Sequence, residues 1–263
     1  AKFNFDLFKE HVAKAMHLMD DIIDLELEKV ELIINKIASD PEDDDVRRVE
    51  LELWKKIKDM ALKGRRTGLG ITAEGDMLAA LGLRYGSEEA IDFAVEVHKT
   101  LAVEAYRASV MMAKDRGAFG VFNFEKEQGN PMVGRILEAA PELRELMQQY
   151  GRRNIAMLTI APTGTTSLMS QTTSGIEPVF RPVYKRRRKI NPSDKDQVAS
   201  FVDETGEKFI EYYVYHHQFV KWAEINGYDT SRLQTITEQE LDEMLQASPY
   251  HKATANDIDW VAK

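Results

Sequence analysis

Apolar residues recur at steps of three and four through the first third of the chain, which is the period of an amphipathic α-helix. The stripe over residues 8–34 predicts one long helix. An acidic connector interrupted by proline, Ser39–Asp45, separates it from a second helix predicted over Asp45–Lys63. Ser87 is a typical N-cap residue and predicts a third long helix, with an apolar stripe that continues to Met112. Shorter periodic segments predict helices at Met132–Ala140, Glu142–Tyr150, His216–Asn226 and Glu238–Gln246.

Short apolar runs that are bounded by Gly or Pro predict strands. Such runs are Gly68–Ile71, Ile155–Ile160 and Val179–Tyr184. Phe201-Val202 and Phe209–Tyr215 flank a Gly-containing turn and predict a hairpin. Long helices interleaved with a few short strands predict a fold of the α/β, helix-rich class.

One strand-turn-helix segment has the pattern of an anion site. The run Ile155–Ile160 is followed by a turn and then by hydroxyl side chains, at which a helix is expected to begin. A helix N-terminus presents unpaired backbone N–H groups and the positive end of the helix dipole. Gly164 would let a phosphate approach the backbone, and neighbouring hydroxyls could add donors. The sequence therefore predicts a phosphate site formed by Pro162, Thr163, Gly164, Thr165, Thr166 and Ser167.

The same segment has a second interpretation as a structural turn. A strand followed by a capped helix occurs throughout α/β proteins, and most such turns bind nothing. No Lys follows Gly164, so the pattern is not a P-loop, and Ser167 lacks the flanking glycines of a nucleophile elbow. From the residues alone, the ligand site and the structural turn both remain open.

Composition narrows the class of protein. Of the 263 residues, 43% are hydrophobic and 30% are charged, which is ordinary for a packed domain. The formal net charge of −9 argues against a general nucleic-acid binder. No apolar run approaches the roughly 18 residues of a membrane span, and no signal pattern is visible, so the expected location is cytoplasmic. The chain has no cysteine, which excludes disulfides.

Two further clusters have ordinary explanations. The basic run Lys185–Lys189 could bind nucleic acid, act as a nuclear address or contact an anionic cofactor tail, but a solvated strand end is favoured because the rest of the chain is acidic. A polar loop is expected after it, at Asn191–Gln197. His216 and His217 are adjacent and would point about 100° apart on a helix, so no metal site is predicted.

Several segments resemble one enzyme family, in consistent order over nearly the whole chain. APTGTTS (161–167) and SGIEPVF (174–180) resemble the substrate-phosphate loop and the following strand of the large catalytic chain of ribonucleotide reductases. Arg65–Thr72 resembles the family's R-R-x-G-L-G strand and turn, Arg116–Phe119 a later barrel segment, and Ser248–Thr254 a stretch upstream of the closing region. The PTGT sequence is most similar to the adenosylcobalamin-dependent (class II) branch, and an iron-dependent enzyme is the alternative.

The resemblance implies a fold and a reaction. Residues 1–263 would be a partial catalytic domain from a ten-stranded α/β barrel of the ribonucleotide reductase type. It would comprise a helical segment (1–64), barrel strands and helices with the phosphate loop (65–190), and a hairpin with helices (191–263). Glu177 would organise the substrate pocket, although a structural hydrogen-bonding role is equally open. The full-length enzyme would convert ribonucleotides to 2′-deoxyribonucleotides by radical chemistry, with adenosylcobalamin as its cofactor.

The missing residue types are informative as well. The family's chemistry needs a cysteine on a loop inside the barrel and a redox-active cysteine pair, and this chain has none. The chain also starts at Ala1, and its last segment, Asp257–Lys263, stops where a helix is expected to begin. We therefore expect an excised piece of a ribonucleoside-diphosphate reductase that is inactive alone, has no catalytic residue of its own and binds no cofactor alone.

The expected partners of this piece are a ribonucleotide substrate and the missing remainder of the same chain. A homo-oligomer is compatible with this view, and neither nucleic acid nor a membrane is expected as a partner. The alternative is a non-catalytic phosphate- or nucleotide-binding module. A gene that extends upstream into an Asn-Pro-Cys-type loop would favour the reductase over the module.

Overall fold

A computed structural model describes residues 1–191, 194 and 197–261. The chain is 55% helical, which confirms the helix-rich prediction. The helices are α1 (Phe5–Ser39), α2 (Asp44–Gly64), α3 (Glu74–Ala80), α4 (Glu88–Arg116), α5 (Phe124–Glu127), α6 (Pro131–Ala139), α7 (Leu143–Tyr150), α8 (Gly164–Ser170), α9 (His217–Ile225) and α10 (Glu238–Ala247), with a 3₁₀ turn at Thr230–Arg232. The strands are β1 (Val183–Lys189), β2 (Phe201–Val202) and β3 (Lys208–Tyr215). The polar loop predicted at Asn191–Gln197 falls largely outside the described residues.

Local capping sets the bounds of the two long N-terminal helices. The Asn4 side chain accepts a hydrogen bond from the Leu7 N–H at the start of α1. Asp43 accepts one from the Asp45 N–H at the start of α2. Arg65 follows α2 with a left-handed backbone (φ 43°), and its N–H bonds the Ala61 carbonyl. Both helices predicted from the apolar stripes are confirmed. None of the helices within the described ranges combines the length and apolar character needed to cross a bilayer.

The chain forms two compact units, each built from separate stretches. The first unit contains Ala1–Phe3, Ile71–Ala94 and Ile160–Lys263. The second contains Asn4–Gly70 and Val95–Thr159. The division at residues 64 and 190, which the sequence suggested, stays a prediction.

The first unit carries an antiparallel sheet in the order β1-β3-β2. The predicted hairpin is confirmed as β2 and β3. The strand predicted at Val179–Tyr184 was wrong in position, because β1 begins at Val183 and runs through the basic residues. Pro178 and Pro182 lack the N–H that a ladder needs, and Val179 is buried in the core instead of paired. That core packs around Phe219 and Met244, from α9 and α10.

The second unit contains a minimal parallel pairing. The Leu69 N–H donates to the Met157 carbonyl at 2.7 Å, and the Thr159 N–H donates to the Leu69 carbonyl at 2.9 Å. These bonds make an isolated parallel bridge between Leu69 and Leu158. The strands predicted at Gly68–Ile71 and Ile155–Ile160 were therefore too long. Within the described part of the chain, the sheet has three strands, so a ten-stranded barrel stays a prediction.

Candidate phosphate site

Helix α8 begins at Gly164, and the residue before it has an unusual backbone. Thr163 is left-handed (φ 49°, ψ 29°), which is rare for a β-branched residue. Its side chain makes no cap to the helix. Instead, Thr163 Oγ1 accepts the Gly175 N–H at 2.7 Å and lies 3.0 Å from the Thr72 hydroxyl. Thr163 therefore anchors the turn inward and does not offer its hydroxyl to a ligand.

The first turn of α8 leaves three backbone donors open. Ser167 is the first residue of this turn whose N–H has a backbone acceptor, the Thr163 carbonyl at 2.8 Å. The N–H groups of Gly164, Thr165 and Thr166 have no acceptor among the described residues, and all three residues are exposed. A Cβ added to Gly164 would meet nothing within 4 Å. Three donors thus lie at an unobstructed surface, at the positive end of a short helix.

The hydroxyl groups of the predicted site divide into two classes. Ser167 is buried, and its Oγ donates to the Gly164 carbonyl at 2.8 Å and lies 3.0 Å from Ser174 Oγ. Like that of Thr163, this hydroxyl is used inside the turn. Thr165 and Thr166 are exposed and remain available, as is the surface beside the exposed Pro162. Of four hydroxyl donors that the sequence suggested, two are already bonded within the protein.

Glu177 lies beside the turn that holds Thr163. Its N–H donates to the Ser174 carbonyl at 3.1 Å, and its side chain is folded back over Gly175, so that Oε2 lies 2.7 Å from where a Cβ of Gly175 would stand. Burial, with the charges of Glu74 and Glu177, raises the pKa of the Tyr85 hydroxyl. Both roles expected for Glu177, in the pocket and in the turn, are compatible with this position.

Sequence reasoning missed Asp76, a buried residue in α3. Its Oδ2 accepts the Thr173 N–H at 2.7 Å, while Oδ1 accepts the Tyr250 hydroxyl at 2.8 Å and lies 2.7 Å from His216 Nε2. Burial raises the pKa of Tyr250, so its hydroxyl stays protonated and donates. No local motif marks Asp76, because its partners lie about a hundred or more residues away. His216 thus bonds a carboxylate instead of sharing a ligand with His217.

The basic run lies in β1 as a solvated strand, the interpretation that the acidic composition favoured. Its side chains are exposed. Four of them pair with acidic residues: Lys185 with Glu238, Arg187 with Glu211, Arg188 with Asp194 and Lys189 with Glu207.

The second unit contains a cluster of carboxylates with metal-like spacing. Single oxygens of Asp20, Asp21 and Asp24 lie within 4.8 Å of one another. Asp20 is fully buried, however, and accepts from Arg65 Nε at 2.8 Å and from Arg153 Nε at 3.1 Å. Burial alone raises the pKa of Asp20, but the bonds from both arginines outweigh it and lower the pKa below its ordinary 3.8. The cluster is therefore an ion-pair network.

Each unit also has an open cavity. The first unit has one of about 680 Å³, lined in part by Asp76, Trp222 and Tyr250. The second unit has one of about 440 Å³, lined in part by Met60 and Ile155. Both volumes fall in the range of sites for drug-sized molecules, roughly 300–1,000 Å³.

Comparison with known proteins gives a consistent result. The family model described as "Ribonucleotide reductase, barrel domain" matches residues 1–260. The chain is 34% identical over 143 residues to a vitamin B12-dependent ribonucleoside-diphosphate reductase of Mycobacterium tuberculosis, covering 54% of this chain and 18% of that protein. It is 30% identical over 188 residues to the vitamin B12-dependent ribonucleoside-diphosphate reductase of Thermoplasma acidophilum, which covers 70% of this chain and 19% of that protein. It is 26% identical over 202 residues to a ribonucleoside-diphosphate reductase subunit alpha of Chlamydia pneumoniae, which covers 70% of this chain and 17% of that protein. The chain thus spans less than a fifth of the length of these relatives.

Proposed function

Because this chain belongs to the ribonucleotide reductase barrel-domain family, we propose that it forms part of the large chain of an enzyme that converts ribonucleotides to 2′-deoxyribonucleotides. In this proposal, Pro162–Ser167 binds the phosphate of the substrate. The observation that carries it is the set of three exposed N–H groups, those of Gly164, Thr165 and Thr166, without an acceptor among the described residues. The relatives are named ribonucleoside-diphosphate reductases, and in this proposal the diphosphate of such a substrate accepts hydrogen bonds from these donors.

In this proposal, the site positions the substrate and takes no part in the bond-breaking steps. A hydrogen bond to a charged group contributes about 1.5–3 kcal/mol, so two or three such bonds can hold a phosphate without a dedicated cation. The hydroxyls of Thr165 and Thr166 would add donors at the rim. Anchoring the phosphate raises the effective concentration of the ribose where the reaction takes place. Glu177 would fix the turn through Gly175 and face the same pocket.

In this proposal, the cofactor belongs to the full-length enzyme and not to this chain alone. Two of the similar proteins are named vitamin B12-dependent, which supports adenosylcobalamin as the source of the radical. Adenosylcobalamin is several times heavier than a drug-sized molecule, and the cavities of about 440 and 680 Å³ do not fit it. We therefore assign no residue of this chain to the cofactor. The remaining strands of a ten-stranded barrel would come from the rest of the large chain.

The test is Gly164→Val in the full-length reductase. A Cβ added at Gly164 meets no protein atom within 4 Å, so the variant is expected to fold. In the proposal, the added side chain stands between the phosphate and the open N–H groups. Loss of one bond to a charged phosphate should raise KM for a ribonucleoside diphosphate about 10- to 100-fold.

Gly134→Val is the matched control, because Gly134 is also helical and also has nothing within 4 Å of an added Cβ. It should leave KM unchanged. If Gly164→Val also leaves KM unchanged, the segment is a structural turn and the proposed site is wrong.

A further inference from the structure

Asp76 gathers hydrogen-bond donors from three separate stretches of the first unit. Its Oδ2 accepts the Thr173 N–H at 2.7 Å. Its Oδ1 accepts the Tyr250 hydroxyl and faces His216 Nε2. The Asp76 side chain is only 6% exposed, so water cannot readily replace these donors. A carboxylate can accept all three, whereas an amide offers one acceptor oxygen and two N–H donors.

The stretch that Asp76 holds is the one that fixes the phosphate loop. Thr173 Oγ1 accepts the Asp76 N–H at 3.3 Å, so the two residues bond each other reciprocally. The Thr173 carbonyl accepts the Thr72 hydroxyl at 3.3 Å. The Gly175 N–H, two residues further on, donates to Thr163 Oγ1, which the Thr72 hydroxyl also contacts. Both partners of the Thr163 side chain are therefore tied to Thr173.

Thr163 needs this support because its left-handed backbone is unfavourable for a β-branched residue. Such a conformation persists only where the surrounding structure over-determines it. The direction of the N–H groups that follow, from Gly164 to Thr166, depends on that conformation. We propose that Asp76 is a positioning residue for the substrate phosphate. Its carboxylate holds Thr173, the Thr173–Gly175 stretch holds Thr163, and Thr163 aims the open donors. This role rests on the function proposed above.

The experiment is Asp76→Asn in the full-length reductase, with cytidine diphosphate as the substrate and inorganic pyrophosphate as the competing anion. We expect KM for the nucleotide and Ki for pyrophosphate to rise about tenfold, with kcat at saturation within about threefold of wild type. A merely structural carboxylate would lower the melting temperature, and with it the active fraction and kcat, without changing KM of the molecules that remain folded.

Asp20→Asn is the matched control, because Asp20 is a buried and multiply bonded carboxylate in the second unit. It should lower the melting temperature while KM and Ki stay within about twofold. If Asp76→Asn does not fold, Thr173→Val carries the test. It removes the oxygen that accepts the Asp76 N–H and keeps the shape, and it should raise KM about threefold.

The outcomes separate the two proposals. An unchanged KM and Ki in Asp76→Asn, or in Thr173→Val if the first variant does not fold, overturns the positioning role. If Gly164→Val raises KM in the same experiment, the phosphate site stands without it. If Gly164→Val leaves KM unchanged, the site itself is refuted and the role of Asp76 falls with it.

Discussion

Replacing Asp20 by Asn tests whether the buried ion cluster of the second unit is essential for folding. Asp20 is fully buried, and the side chain of Arg65, its main partner, is 5% exposed. Removing one partner of a buried ion pair costs about 3–5 kcal/mol, because the other charge stays buried without compensation. Asp24 still reaches Arg65 at 2.8 Å, so we take the lower end, about 3 kcal/mol. That is a large share of a typical stability of about 5–15 kcal/mol.

The assay is urea unfolding of the 263-residue chain, followed by circular dichroism. Asp21→Asn is the control, because Asp21 pairs with Arg116 at 2.7 Å but its side chain is 50% exposed. Exposed pairs of this kind contribute about 0–1 kcal/mol. Equal losses in the two variants, or a loss below about 1 kcal/mol for Asp20→Asn, would refute the claim that burial makes this network costly to break.

The remaining predictions concern pH, turns, caps and activity. The bonds from arginine lower the folded-state pKa of Asp20, so the carboxylate stabilises the fold fully above pH 3.8 and less as the pH falls towards its folded-state pKa. In an acid titration, the difference in stability between wild type and Asp20→Asn should therefore narrow below pH 3.8. Gly175→Ala should lower the free energy of unfolding by about 1–3 kcal/mol in thermal unfolding, because φ is +44° and the added Cβ would stand 3.0 Å from a backbone oxygen. Gly82→Ala is the control and should lose less, because φ is positive there but the space around the Cβ is open. Thr237→Ala removes a complete capping box and should cost about 0.5–2 kcal/mol by the same measurement; no loss would mean that α10 is held by packing alone. The cysteine-free chain, supplied with adenosylcobalamin and dithiothreitol, should yield no deoxynucleotide by chromatography, and any measurable product would contradict the prediction that the reaction needs cysteines.

Local signals were sufficient for most of the helices, although not for α3 and the short α5. The stripe of α1 and the Thr237–Glu240 capping box are encoded within a few residues, and both elements form where they were predicted. Helix α8 forms beside the hydroxyl residues at which a helix was expected, but it begins at Gly164 and has no side-chain cap. Helix α3 was missed because it breaks the usual pattern: it starts after a left-handed Ala73 without a side-chain cap, and its first turn buries polar residues.

Features that depend on distant partners were not readable from the sequence. The apolar character of Val179 indicates burial but not pairing, and the partner that makes β1 a strand lies in β3. Asp76 gives no local signal, since its partners are 97, 140 and 174 residues away. The phosphate loop was predicted with four free hydroxyls, but that of Thr163 bonds Gly175 and contacts the distant Thr72, and that of Ser167 donates to the Gly164 carbonyl within the same turn.

Arg65 has two unrelated structural roles, one for its backbone and one for its side chain. Its left-handed backbone ends α2, where glycine is the ordinary choice, while its guanidinium neutralises Asp20. Arg65→Gly would ease the backbone but leave Arg153 as the nearest cation of the buried Asp20, and Asp20→Leu would leave Arg65 paired with the half-exposed Asp24. Either single change therefore removes one ion pair while its remaining partner stays buried, whereas changing both positions removes the pair together. Designers who seek a more stable version of this scaffold should treat the two positions as one variable.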